Sequence, residues 1–156
     1  MYLYLLRHAD ADTNASRDDL RELSPKGRDQ AQKVGRFCSE HSIEPEVILT
    51  SPLIRAEQTA RIVEEELELE ERVIVEDFIK CGMTPSAAFL GLRKYGAKST
   101  VFLVGHEPDL GDLVGALIGA PANNIHVRKA TLIKILVPRV EPGGGVIEFF
   151  GPVKFL

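Results

Sequence analysis

Residues Tyr2–Asn14 read YLYLLRHADADTN. Five strand-forming residues run without a spacer into an arginine, a histidine and then two aspartates. An unbroken apolar and aromatic run predicts a strand over Met1–Leu6 that is covered on both faces, as strands of parallel sheets are. In open α/β sheets, ligands bind beyond the carboxyl ends of the strands. A cation and a titratable ring at such an end are therefore candidates for chemistry, provided other strands deliver partners to the same edge.

Outward from this stretch the chain alternates. Ser24-Pro25 resembles an N-cap followed by proline at the first helical position, and predicts a helix from about Lys26 to His41 with Ala31, Val34 and Cys38 inward. Val47–Thr50 is a second strand. Ser51-Pro52 repeats the cap signal and opens a second helix, whose apolar residues Leu53, Ala56, Ala60, Val63 and Leu67 recur at three and four residues. The acidic run Glu64–Glu71 reads as the solvated face and end of that helix. Val73–Val75 is a third strand, Thr84-Pro85 starts a helix to about Tyr95, Thr100–Val104 is a fourth strand, and Asp109–Ile118 is a helix. From Thr131 the pattern changes: TLIKILVP and GVIEFF flank RVEPGGG, which predicts two antiparallel strands around a glycine-rich turn. The expected fold is α/β, one three-layer domain over residues 1–156, with a mostly parallel sheet, helices on both faces and an antiparallel hairpin at one edge.

The formal charge of −4, from 19 basic and 23 acidic residues, gives no electrostatic case for nucleic acid or an anionic membrane. Anion chemistry has to come from a local cluster. Cys38 and Cys81 form neither a metal-ligand pattern nor a disulfide framework and read as free thiols. No stretch approaches a membrane span, and the N-terminus lacks the pattern of a secretory signal, so the expected location is cytoplasmic.

Three predicted strands deliver such a cluster. The first ends in Arg7 and His8, the second leads to Arg55 in the first turn of its helix, and the fourth leads to Gly105 and His106. Two arginines and two histidines at equivalent places suit a phosphoryl group. Arginine presents a planar fork of donors and stays charged. A histidine kept neutral among them can attack phosphorus, and a second can donate a hydrogen bond to the developing charge. Competing motifs fail. Neither cysteine has an arginine six residues on, as a cysteine phosphatase needs. GLRKYGAKST departs from a phosphate-binding P-loop by one residue and precedes a strand where that loop follows one. HADAD offers His8, Asp10 and Asp12 to a metal, but two arginines aimed at the same space oppose a dication.

With these residues in view the chain resembles the histidine phosphatase superfamily, and within it the short phosphohistidine phosphatases of SixA type. The resemblance rests on LLRHADA (Leu5–Ala11), LSPKGRDQA (Leu23–Ala31), ILTSPLIRAEQTA (Ile48–Ala60) and VFLVGHEPDL (Val101–Leu110). It implies a phosphoglycerate mutase-like fold without a cap insertion, and no metal or organic cofactor. It makes His8 the nucleophile, with Arg7, Arg55 and His106 around the phosphoryl group. Ala9 stands where the family signature has glycine. Asn14 corresponds to a phosphate-contacting asparagine of the mutase branch, and Asp10 is a further candidate for substrate contact or proton donation. Glu76 and Asp77, in VEDFIKCG, lie near the region where the mutase branch supplies its acid.

The function this resemblance implies is hydrolysis of phosphohistidine on a carrier or phosphorelay protein, a signal-transduction setting, with phosphate or other oxyanions held in the pocket. Two alternatives stand beside it: a small-metabolite phosphomonoesterase with the same mechanism, and a non-catalytic module that binds phosphate or a phosphoprotein.

Overall fold

The structure, a computed structural model, describes residues 1–156 apart from the side chain of Ala122. Its central sheet has six strands: β1 (Tyr2–Arg7), β2 (Val47–Thr50), β3 (Val73–Val75), β4 (Thr100–Gly105), β5 (Leu132–Leu136) and β6 (Val146–Gly151). They lie in the order β3-β2-β4-β1-β5-β6. The first four pair in parallel, whereas β5 pairs antiparallel to both β1 and β6. The four helices are α1 (Pro25–Glu40), α2 (Ile54–Glu66), α3 (Pro85–Arg93) and α4 (Asp109–Ile118). None of the described helices is long and apolar enough to cross a membrane.

Alternation along β1 separates two cores. Leu3 and Leu5 face α3 and α4, meeting Leu92, Leu110, Leu113 and Leu117, while Tyr4 and Leu6 face α1 and α2, meeting Val34, Ala56, Ala60 and Val63. Both faces of the central strands are buried, which explains why β1 and β4 read as unbroken apolar runs. The sheet is mixed and mostly parallel, with helices on both faces and the hairpin β5–β6 at one edge, as expected.

Two local expectations are corrected. Ser51 does not cap α2. Its backbone N–H still bonds the Val104 carbonyl, so the chain stays extended past β2 and turns only at Pro52–Leu53, with Leu53 in the cap position. Glu64 is not solvated. It is buried, and Oε1 accepts the backbone N–H groups of Arg72 and Val73, tying α2 to the start of β3.

The strand order sets up the functional edge. Because β4 lies between β1 and β2, the carboxyl ends of all three are neighbours. Their ends lie within one residue of each other: Arg7 pairs with Gly105 and Thr50 with Val104. His8 and His106 thus emerge level with each other, with Ser51 one residue behind.

Candidate active site

His8 continues the pairing of β1 by one residue, its backbone N–H bonding the Gly105 carbonyl. The imidazole is therefore fixed at the sheet edge, and its two nitrogens have opposite roles. Nδ1 lies 2.8 Å from the Ala9 carbonyl oxygen, which can only accept. Nε2 lies 3.3 Å from Arg55 Nε, which can only donate. Together these partners require the neutral tautomer with the proton on Nδ1 and a lone pair on Nε2. Burial is the main cause that pushes the His8 pKa down to about 3, and coupling to His106 and the charges of Arg55 and Arg7 act in the same direction. The sequence suggests that the arginines keep this ring neutral; in the structure burial is the larger cause.

Ala9 is fully buried and has no positive φ. An L side chain fits there without strain, so alanine can replace the signature glycine. Its N–H donates to Thr59 Oγ1 at 3.1 Å, and the Thr59 hydroxyl donates to the Arg55 carbonyl at 2.7 Å. Thr59 lies four residues beyond Arg55 on the same face of α2 and ties the first loop to the helix that carries the arginine.

Arg55 is only 4% exposed. Its Nη1 donates to the Asp18 backbone carbonyl at 2.8 Å and its Nη2 to the Asp18 carboxylate at 3.0 Å. The Asp18 side chain is itself 66% exposed, and it is oriented by Arg21, which also bonds the carbonyls of Ala11 and Asp12. Cys81 Sγ lies 4.0 Å from Arg55 Nη2 on the other side. Asp109, in the first turn of α4, accepts the N–H groups of Gly82 and Met83 and so fixes that loop. Burial raises the Cys81 pKa, leaving a neutral thiol.

His106 is buried with its ring centroid 5.2 Å from that of His8. Its Nε2 shares a hydrogen bond with Ser51 Oγ at 2.7 Å. Burial first, and Arg55 and Arg7 next, hold its pKa down to about 4. Arg7 directs Nη1 to the Val127 carbonyl at 2.9 Å. That carbonyl sits on a loop held by Glu107, whose carboxylate accepts the N–H groups of Val127 and Gly111. Arg7 Nε and His106 Nδ1 are two of three buried side-chain polar atoms without a partner among the described residues. Such orphans in a native fold call for an explanation, and an oxyanion would accept from both.

The structure thus brings His8, Arg55 and His106 into one cluster with Arg7 at its side, and the other candidates are placed differently. Asp10 accepts from Ser24 Oγ at 2.8 Å and from Lys129 Nζ at 2.6 Å, bracing α1 against the first loop. Asn14 is exposed, and its backbone N–H donates to the Asp12 carboxylate. Glu76 accepts the Tyr95 hydroxyl and pairs with Lys94, while the exposed Asp77 pairs with Lys80, and neither carboxylate bonds a residue of the cluster. No group of three or more histidines, cysteines or acids among the described residues is arranged to hold a metal ion. Sequence reasoning missed Asp18, Ser51, Thr59 and Glu107. Thr59 alone carried a local signal, its one-turn spacing from Arg55.

Comparison with known proteins bears on this geometry. The model of the histidine phosphatase superfamily (branch 1) matches residues 3–82. The phosphohistidine phosphatase SixA of Escherichia coli (strain K12) is 32% identical over 120 residues, 75% of this chain and 74% of that protein. A SixA homolog of Haemophilus influenzae is 30% identical over 145 residues, 87% of this chain and 88% of that protein. Among solved structures, the histidine phosphatase SixA complexed with tungstate superposes with a TM-score of 0.90 at 23% identity, covering 99% of this chain and 98% of that one, a likeness of fold.

Proposed function

This chain belongs to the histidine phosphatase superfamily, and from that premise we propose that it hydrolyses phosphohistidine on a protein, through a phosphoryl group carried transiently by His8. The observation that carries the reading is the fixed tautomer of His8: a buried, neutral ring whose Nε2 lone pair faces the Nε of Arg55. The similarity to SixA over three quarters of the chain supports the substrate class.

In the first step the Nε2 lone pair attacks phosphorus in line, the new N–P bond forms as the substrate's N–P bond breaks, and the substrate imidazole leaves. Arg55 Nε turns from the nitrogen to a phosphoryl oxygen, and Nη2 lies beside it for a second contact. Arg7 and His106 add donors for the charge that spreads over the equatorial oxygens. As the ring becomes phosphorylated, the Nδ1–H bond to the Ala9 carbonyl persists and stabilises the cationic ring. In the second step water attacks phosphorus, the electron pair of the N–P bond returns to Nε2, and the water's proton leaves with orthophosphate.

A phosphohistidine whose other ring nitrogen is protonated departs as neutral imidazole and needs no dedicated acid. An alkoxide leaving group would need one, and neither Glu76 nor Asp77 bonds a residue of the cluster. This favours phosphohistidine over a phosphate monoester. The test compares phosphate release from a histidine-phosphorylated carrier protein and from a small monoester, with His8→Ala as control. Preference for the carrier, lost in the variant, is the expected result; preference for the ester would keep the mechanism and move the substrate class to metabolites.

A further inference from the structure

Beside the cluster an open groove of about 580 Å3 runs from Arg7 across the first turn of α1 to the C-terminal segment. Its charged lining contrasts with the molecule. Arg7, Lys26, Arg128, Lys129 and Lys154 face a single carboxylate, Asp10, in a chain whose formal charge is −4. Asp10 is neutralised by Lys129 at 2.6 Å. Lys26, Arg128 and Lys154 are exposed and take part in no ion pair among the described residues.

These cations come from three separate elements: α1, the loop before β5, and the turn Val153–Phe155. Lys26 stands in the first turn of α1, which contains no acidic residue. There its charge adds to the positive end of the helix dipole, where an acid would offset it. The groove is therefore a concentrated positive field, and Arg7 makes it continuous with the phosphoryl site.

We propose that this groove docks an acidic surface of the phosphohistidine-bearing protein, carboxylates flanking the modified histidine seating against Lys26, Arg128 and Lys154 while the phosphoryl group reaches His8. The inference rests on the proposed function. A protein substrate must place its own surface here when its histidine enters the site, and the local excess of cations in the groove selects an acidic one. Charges at such a rim act mainly on encounter and on salt dependence, not on the chemical step.

The experiment uses two synthetic peptides of equal length, each with one phosphohistidine, flanked by glutamates in one and by glutamines in the other. The wild-type protein should turn over the glutamate peptide with a kcat/KM about tenfold or more higher at low salt. That preference should shrink as salt rises and collapse in the double variant Lys26→Glu, Lys154→Glu, whose rate on the glutamine peptide stays within about twofold of wild type. Equal rates on the two peptides in wild type, or a preference that survives charge reversal, would overturn the docking inference while leaving the phosphatase reading intact. Failure to cleave either peptide would overturn both. Sedimentation of wild type, but not of the double variant, with phosphatidylserine vesicles at the same salt would assign the groove to a membrane surface instead.

Discussion

The Nε of Arg55 lies 3.3 Å from Nε2 of His8 and donates to its lone pair. In the proposed mechanism this contact joins the two halves, one residue supplying the lone pair and the other the charge that receives the phosphoryl oxygens. It exists because α2 is tied to the first loop twice, by Thr59 at Ala9 and by Asp18 at the guanidinium.

Replacing Arg55 by lysine keeps a charge but removes the planar fork. Arg55→Lys should lower kcat by about 100-fold or more, measured at a temperature where the variant is fully folded. A rate near wild type would remove Arg55 from the phosphoryl site.

Thr59→Val is nearly isosteric but leaves the Ala9 N–H without its acceptor and the Arg55 carbonyl without the donor that reaches it from Thr59. A buried unsatisfied group costs about 1–3 kcal/mol, so stability should fall by that order. Turnover should fall further than stability alone explains, with kcat reduced more than KM raised, because the His8 carrier loop is displaced. Thr59→Ser should restore both. A variant that loses stability but keeps kcat would show a purely structural role.

The carboxylate of Asp18 accepts from Arg55 Nη2 and its backbone carbonyl from Nη1, so in the proposed mechanism the carboxylate competes with a phosphoryl oxygen for Nη2. Asp18→Asn keeps the backbone contact and removes the charge. Inhibition by orthophosphate should then strengthen several-fold, measured as a lower inhibition constant. An unchanged or higher constant would show that the carboxylate helps Arg55 receive the anion.

Acid should destabilise this fold through its two site histidines. Their pKa values lie at about 3 and about 4 in the folded chain, against about 6.5 when unfolded. Between pH 6.5 and about 4 at His106, and down to about 3 at His8, the unfolded chain binds protons that the folded chain does not, so stability is full above pH 6.5 and is lost as pH falls through that window. Urea titrations across the window should show a steeper acid loss in wild type than in His106→Asn. Turnover on stable protein should show no fall centred near pH 6.5 from protonation of His8.

Gly27 packs so closely on the first loop that an added Cβ would lie 1.9 Å from the Asp10 carbonyl oxygen. Gly27→Ala should cost about 1–3 kcal/mol by overpacking, read as a lower denaturation midpoint. A neutral effect would mean the loop carrying Asp10 yields readily.

The sheet and its edge were legible because the central strands β1, β2 and β4 are buried on both faces and lead straight into polar residues. Arg7, His8, Arg55 and His106 could be found by noting that three such ends carry basic side chains. Ser51 was misread because Ser-Pro signals a helix cap and an extended bend alike; only the bond from its N–H to Val104 decides between them. Asp18 and Glu107 were invisible for a different reason. Their partners, Arg55 and Val127, lie 37 and 20 residues away, and nothing in SRDDLRE or GHEPDL marks a tertiary contact at that range. Tyr95, the partner of Glu76, is likewise unmarked in VEDFIKCG, whereas Lys80, the partner of Asp77, stands within it.

The central claim is that His8 carries the phosphoryl group, and the direct measurement is to quench the reaction with a histidine-phosphorylated carrier in alkali within its first turnovers. The protein is then digested and the phosphate located by mass spectrometry. The account predicts an acid-labile, alkali-stable phosphate on His8, absent from His8→Ala and longer-lived when Arg55 is replaced by lysine. Turnover without such an intermediate, or with phosphate on another residue, would contradict it.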